Sequence, residues 1–425
     1  GPALAEHLEE ALAVRRRHFM LHPLCSFDPH PAYFSAFERV SGMTGTEAKR
    51  AAYRLLEGEE TALTRLIDDL YALAVSAREV SAVADLIADP APDVLDRLAG
   101  LPEAVPFRVQ LEAFLDRYGE HTGNGWGSEA TIRTPTWREQ PREVLRLVAP
   151  YLSPSVEPPA VIRRRAQEAR DAEVEALCAA CDDLEAIALF RRELAQARRV
   201  ATVLEEHNHY MDQLGTGQLR RAVMAAADWL VRQRVLPTRE DVLWLDFDEI
   251  LAALQAETPT PLTTMVADRQ AQHVVWEQMD APPILGRPDA QLPERPEEEP
   301  AVTAEHAEES GQLSGLGASP GRYRGRARVV APSVALPAVE QGDVLVAENV
   351  GPRWTPLFPL LGGLILDGGA LGQHAAATAR EYGVPAVIAT GTATQRIEDG
   401  SWVTIDGTVG TIELEDIVNP LAAGG

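Results

Sequence analysis

The chain has 425 residues, enough for two or three domains and a substantial buried core. Hydrophobic residues make up 45% and charged residues 24%, as in ordinary globular proteins, and no apolar run is long enough to read as a membrane-spanning helix. A formal charge of −25, with acids interleaved among the basic residues, argues against nucleic acid and anionic membranes as partners. Residues 1–285 predict a predominantly helical domain, with Leu55, Leu56, Leu63, Leu66, Ile67, Leu70 and Leu73 at three- and four-residue steps. A charge-laced stretch from about Ala160 to Tyr210 reads as one or two long helices. Another runs from about Leu219 to Gln233, before Pro237. Residues 286–312 are rich in Pro and Glu, the composition of a semi-extended linker on which a domain could swing. From residue 313 to 416 short β-type runs (Ala327–Val330, Val344–Ala347, Leu364–Leu366, Ala386–Ala389, Trp402–Ile405, Gly410–Leu414) alternate with Gly- and Pro-rich turns, predicting a compact α/β unit. Residues 417–425 read as a tail.

Within that unit the most informative residue is His374. The apolar segment Leu364–Leu366 predicts a buried strand, Gly368 and Gly369 a turn, and the Ala-rich run ending at Gly383 and Pro385 a short helix. His374 then falls in the helix's first turn, at an exposed position, where free N–H groups and the dipole favour an anion. An imidazole there suits a nucleophile that accepts a phosphoryl group.

The residues Gly368, Gly369, His374, Ala379, Arg380, Glu381, Gly383, Val384, Pro385, Ala386 and Val387 resemble the phosphohistidine swivelling domain of the PEP-utilising enzymes, a family that includes PEP synthase and the rifampin phosphotransferases. Flanking blocks around Gly317, Pro320 and Gly321, Gly342 to Ala347, Trp354 to Phe358 and Asp399 to Gly407 agree with it. The family usually has Ser, Thr or Cys before the histidine. Here Gln373 stands there, and Val350, Gly351 and Pro352 replace a Thr-Asp-Pro. The resemblance implies a swivelling β/β/α domain in which His374 carries phosphate, supported by Gly368, Gly369, Gln373 and Arg380. It extends more loosely to residues 1–285, implying a helical domain that binds the acceptor.

Two further segments draw attention. Glu205 to Gln213 contains His207, His209 and Asp212 on a helix. His207 and His209, two residues apart, face different ways, so a metal pair is disfavoured and no metal site is expected. His207 with Tyr210, or Glu206 with Tyr210, could line a polar pocket. The Gly-rich loop 119–128 carries His121 and Trp126, a composition common in loops that close on ligands. The bland alternatives are a solvated helix face and a surface turn. His18, His22 and His30 are weaker candidates. Cys178 and Cys181 read as small buried apolar residues, and three cysteines in all, with no signal-peptide pattern at the start, fit the cytoplasm.

Lys49 is the single lysine among 39 basic residues, and no Gly-rich phosphate loop ending in Lys and Ser or Thr occurs. No cofactor is therefore expected in the chain itself. The resemblance implies that ATP and Mg bind an ATP-grasp domain or protein acting in trans. The expected function is a phosphotransferase component, passing a phosphoryl group from that partner through His374 to a hydroxyl of a small molecule held by residues 1–285. The alternative is a dehydratase (lyase) acting on a hydroxylated small molecule, with or without a phosphorylated intermediate. A third reading is a non-catalytic carrier.

Overall fold

The computed structural model describes residues 1–26, 30–56, 60–122, 132–279, 313–330 and 339–414. The Pro/Glu-rich segment 286–312, the tail 417–425 and Trp126 lie outside these, as does the side chain of His22. Among the described residues no helix is long and apolar enough to cross a membrane.

The first part is helical, as its three- and four-residue periodicity predicts. In chain order the helices are α1 (Pro2–Ser26), α2 (Pro31–Ser41), α3 (Gly45–Tyr53), α4 (Ala62–Arg78), α5 (Ser81–Ala88), α6 (Val94–Ala99), α7 (Val105–Tyr118) and α8 (Pro141–Val148). They continue as α9 (Pro159–Ala179), α10 (Leu184–His207), α11 (Gly215–Arg232), α12 (Phe247–Gln255) and α13 (Thr263–Glu277). Helix α4 starts at a capping box, in which Thr61 and Thr64 satisfy each other's backbone N–H groups. Its Leu63, Leu66, Ile67, Leu70 and Leu73 stripe is buried throughout. Helix α1 lays Ala5, Leu8 and Leu12 on Leu219, Val223 and Leu230 of α11. Cys178 is buried beside Val174 and Phe190, while Cys181 is half-buried.

The stretch from Ala160 to Tyr210 is two helices, broken where Asp183 caps α10 by accepting from the N–H groups of Glu185 and Ala186. Between Tyr210 and Leu219, where the sequence reading separates two helices, the chain stays helical. Residues Asn208–Leu214 form a π-helical turn joining α10 to α11. The wider π turn admits one extra residue without ending the helix.

Among the described residues the second part is an eight-stranded sheet of β1 (Leu313–Ser314), β2 (Leu316–Ser319), β3 (Arg322–Val330), β4 (Val344–Ala347), β5 (Gly363–Leu366), β6 (Ala386–Ile388), β7 (Trp402–Asp406) and β8 (Thr411–Leu414), in the order β1-β8-β7-β3-β4-β5-β6-β2. The long β3 belongs to two ladders. Arg322 to Arg326 pair antiparallel with β7, and Ala327 to Val330 pair parallel with β4. Strands β4, β5 and β6 are parallel neighbours. The first and last strands of the order are separated only by Gly315, so the sheet curls round on itself. Val344, Val346, Ile365 and Val387 fill the inside of the curl with Val403, Ile405 and Ile412. Leu345, Leu364 and Leu366 face the other way, toward α14 (His374–Tyr382), which is followed by the short α15 (Ala393–Arg396). Burial on both faces explains why these strands read as unbroken apolar runs. Strands β1 and β2 escape the sequence reading, being short and interrupted by glycine.

The two parts share one apolar core. It runs from Leu66 and Leu70 of α4, past Tyr151, to Trp354, Leu357 and Phe358 in the 3-10 segment Pro352–Leu360, and on to Ala376 and Ala379 of α14. Polar contacts reinforce the junction. Tyr151 donates to the Pro356 carbonyl, and Arg163 donates to both carboxylate oxygens of Asp68 (3.0 and 2.5 Å) and to the Tyr382 hydroxyl at 3.1 Å. Arg170 reaches the Arg380 carbonyl at 3.2 Å.

Candidate active site at the domain junction

His374 is the first residue of α14, after Gln373 in extended conformation. Gly369 makes the preceding turn possible at φ +120°, a backbone region that other residues rarely adopt. Gly368 ties the turn to β4's end by donating to the Glu348 carbonyl at 2.9 Å, and Gln373 accepts from the Ala370 N–H at 3.2 Å. Arg380 is buried and donates to the carbonyls of Leu371 (2.9 Å) and Ala318 (3.2 Å). It thus braces the loop through its carbonyls, with its guanidinium turned to the backbone and stacked over Tyr53.

The imidazole is not exposed, contrary to the sequence expectation: the side chain keeps 13% of its accessible surface, because the junction covers it. Nδ1 lies 2.6 Å from Oε2 of Glu205, at the end of α10. Nε2 lies 2.9 Å from Oγ1 of Thr355 and 3.4 Å from Oγ1 of Thr378. An ionised carboxylate only accepts, so Nδ1 carries the proton and Nε2 keeps a lone pair. Thr378 donates to the His374 carbonyl. The single proton of Thr355 has two acceptors in reach, Nε2 and the Pro352 carbonyl at 2.5 Å. Donation to Pro352 leaves the Nε2 lone pair free. The tautomer is fixed by a carboxylate from the helical part, and the lone pair on Nε2 is what nucleophilic attack would require.

Across the junction the two sequence-selected segments meet. His121 Nε2 lies 2.8 Å from His209 Nδ1. Trp137 stacks on His121 with ring centroids 5.1 Å apart, and Tyr118 sits edge-on to both imidazoles. Burial pushes His121 well below its ordinary pKa, an effect increased by the neighbouring His209, and burial lowers His209 to about 4. Both rings are therefore neutral at physiological pH, and their tautomers are locked together, since one must donate and the other accept.

The backbone explains the meeting. A side chain at Gly217 would lie 2.5 Å from the Glu120 carbonyl oxygen, so glycine on α11 lets the turn before His121 press against the helix. Thr122 then donates its N–H to the Gln213 side chain at 3.1 Å. His207 turns elsewhere. Its Nδ1 meets the Leu204 carbonyl, and its Nε2 is 3.8 Å from Asp212, five residues on, a spacing that the π turn brings together. Tyr210 is 51% exposed and Glu206 is engaged by Arg65 and the Ala62 N–H, so neither forms the polar pocket suggested by their spacing.

His121, Thr122, Trp137 and Gln213 line one wall of a narrow crevice whose other wall is Pro352, Arg353, Thr355 and Pro356. Its volume of ≈ 10 Å³ is the room of about one water. Glu205, Thr355 and Arg353 were not selected from the sequence as site residues. Only the position of Thr355 in a block resembling the swivelling domain hinted at it.

Residues 339–410 match the PEP-utilising enzyme mobile domain, and residues 31–206 the rifampicin phosphotransferase fourth domain. The first match contains Arg353, Thr355 and His374, and the second ends just past Glu205, short of His209. Among curated relatives, the chain is 28% identical over 384 residues to a chondramide synthase of Chondromyces crocatus, covering 85% of this chain and 10% of that protein. It is 32% identical over 330 residues to a rifampicin phosphotransferase of Streptomyces sviceus (76% of this chain, 36% of that protein), and 33% over 325 residues to one from a Streptomyces species (75% and 36%). The chain thus spans about a tenth to about a third of the length of these relatives. The chain therefore carries, side by side, a mobile domain of the PEP-utilising enzymes and a rifampicin phosphotransferase fourth domain.

Proposed function

We infer that the chain is a phosphotransferase component in which His374 Nε2 carries a phosphoryl group to a hydroxyl of a small molecule bound at the crevice. The observation that carries this is the docking of His374 between Thr355 and Glu205, with Thr355 also lining the crevice into which the neutral His121 faces. The relatives named as rifampicin phosphotransferases support it. The donor is assigned to ATP with Mg on an ATP-grasp domain or separate protein. Transfer breaks the P–Nε2 bond and forms a P–O bond to the acceptor. Nε2 recovers its lone pair, Nδ1 keeps its proton against Glu205, and the hydroxyl proton passes to His121 or His209. Because burial disfavours an imidazolium there, that proton moves onward instead of accumulating. Exclusion of water from the crevice protects the phosphoramidate from hydrolysis.

The test is incubation with labelled ATP and an ATP-grasp protein from the same genome. Acid-labile label on the chain, absent from His374→Ala, supports the carrier. Label that survives acid, or persists in the variant, overturns it. Identification of the product separates a phosphate ester from net dehydration.

A further inference from the structure

Arginines in this chain generally find carboxylates: Arg163 holds Asp68, Arg220 holds Glu139 and Arg269 holds Glu249. Arg353 differs. It stands two residues before Thr355, on the wall of the crevice that faces His121, Thr122 and Gln213. Its Nε is buried with no hydrogen-bond partner among the described residues, and no ion pair engages its guanidinium there. Among the described residues its charge contacts only the ring of its neighbour Trp354, at 5.2 Å. Burial lowers its pKa with no opposing carboxylate, so the cation is partly desolvated and uncompensated. Leaving a guanidinium so placed is costly unless an anion completes the site. The planar fork of donors fits two oxygens of a tetrahedral oxyanion.

We propose that Arg353 is the anion receptor of the crevice, binding the phosphoryl group as it sits on, or leaves, His374 Nε2. The geometry supports the assignment. Thr355 contacts Nε2 and also lines the crevice, so a group attached to Nε2 enters the space that Arg353 borders. The crevice has a volume of only ≈ 10 Å³ with the unphosphorylated histidine docked, so the phosphoryl group fills that space and takes the place of Thr355 at Nε2. No carboxylate is among the described lining residues of the crevice. Glu205 is committed to Nδ1, on the far side of the ring. The proposal rests on the carrier reading, and its test is arranged so that the two can fail separately.

Two probes are used on the full chain, inorganic phosphate and phosphoramidate. Phosphoramidate needs no protein donor: the Nε2 lone pair forms the new N–P bond, the P–N bond to ammonia breaks, and ammonia leaves with its three protons from the zwitterion. Thermal unfolding in phosphate against chloride at equal ionic strength measures anion binding. Phosphate is expected to stabilise the wild type. Arg353→Gln should weaken its binding at least about tenfold, the usual loss for one charge-assisted contact, with Arg353→Lys between them. Without phosphate, Arg353→Gln should be no less stable than the wild type, since it removes an uncompensated charge, a result that a merely structural arginine would not give. With phosphoramidate, His374 in Arg353→Gln should be labelled more slowly. Equal phosphate stabilisation in wild type and Arg353→Gln overturns the proposal, whatever happens at His374. Absence of label on wild-type His374, with phosphate binding still dependent on Arg353, would remove the carrier reading and leave the anion site standing.

Discussion

The two nitrogens of His374 answer to different domains, Nδ1 to Glu205 of α10 and Nε2 to Thr355 of its own domain. Glu205→Gln keeps the shape but removes the charge that holds the Nδ1 proton. Single-turnover transfer to the acceptor is expected to slow by about tenfold or more, while labelling by the donor, with the domain away from Glu205, changes little. His374→Ala should cost about 1 kcal/mol of stability, more than an exposed residue would, because Glu205 loses its partner. The histidine pair makes a separate prediction about pH. His209 has a folded pKa of about 4 against an unfolded value near 6.5, so between these values the unfolded chain binds the extra proton. This contribution to stability is intact above about pH 6.5 and declines as the pH falls toward 4. Urea midpoints should drop across that window, and His209→Gln should make the dependence shallower, His121 supplying what remains. At this scale the sequence was informative wherever chemistry and backbone coincide. His374 sits where Gly369, the Ala-rich run and Gly383 place it, and His121 and His209 carry residue types that a plain helical bundle has little use for. Glu205 was illegible because a carboxylate on an amphipathic helix looks like solvated surface until the facing domain is known.

Among the elements, the π turn Asn208–Leu214 and the glycines after it decide where the histidines point. The extra residue of the turn rotates His209 toward His121 while pairing His207 with Asp212 five positions on. No residue type announces a π turn, so α-helical spacing pointed instead to Tyr210 and Glu206. Gly217 gives a sharper test. Gly217→Ala places a methyl carbon 2.5 Å from the Glu120 carbonyl, against backbone that cannot yield cheaply. The expected cost is about 1–3 kcal/mol in urea unfolding, with helix content unchanged and acceptor transfer lost ahead of the fold. The strands of the second domain were largely readable because burial on both faces leaves continuous apolar runs. Their pairing was not, since β3 serves an antiparallel and a parallel ladder at once.

For the molecule as a whole, the docked arrangement joins two domains through an apolar core rimmed by Tyr151, Arg163 and Arg170. A carrier that visits a donor elsewhere must uncover that surface. Tyr151→Phe combined with Arg163→Gln is expected to shift the population toward the undocked form. In solution scattering this should appear as a larger radius of gyration, with both domains still folded. An unchanged radius would show that the apolar contact alone fixes the arrangement. The helical and α/β parts were separable in the sequence by periodicity. Their joint core was not, because Trp354, Leu357 and Phe358 look like the interior of their own domain.

The crevice between the walls of His121 and Arg353 has room for about one water when the empty carrier is docked. On the proposed assignment, this fully closed docking leaves no room for the acceptor, and transfer takes place in a less closed docking that holds both. An acceptor molecule can enter only after the spent carrier lifts away, so it must be seated before the loaded carrier arrives. Its arrival also biases the spent carrier toward departure. Supply of acceptor would then hasten reloading at the donor, and in its absence the carrier would rest with its histidine covered, idling without consuming donor.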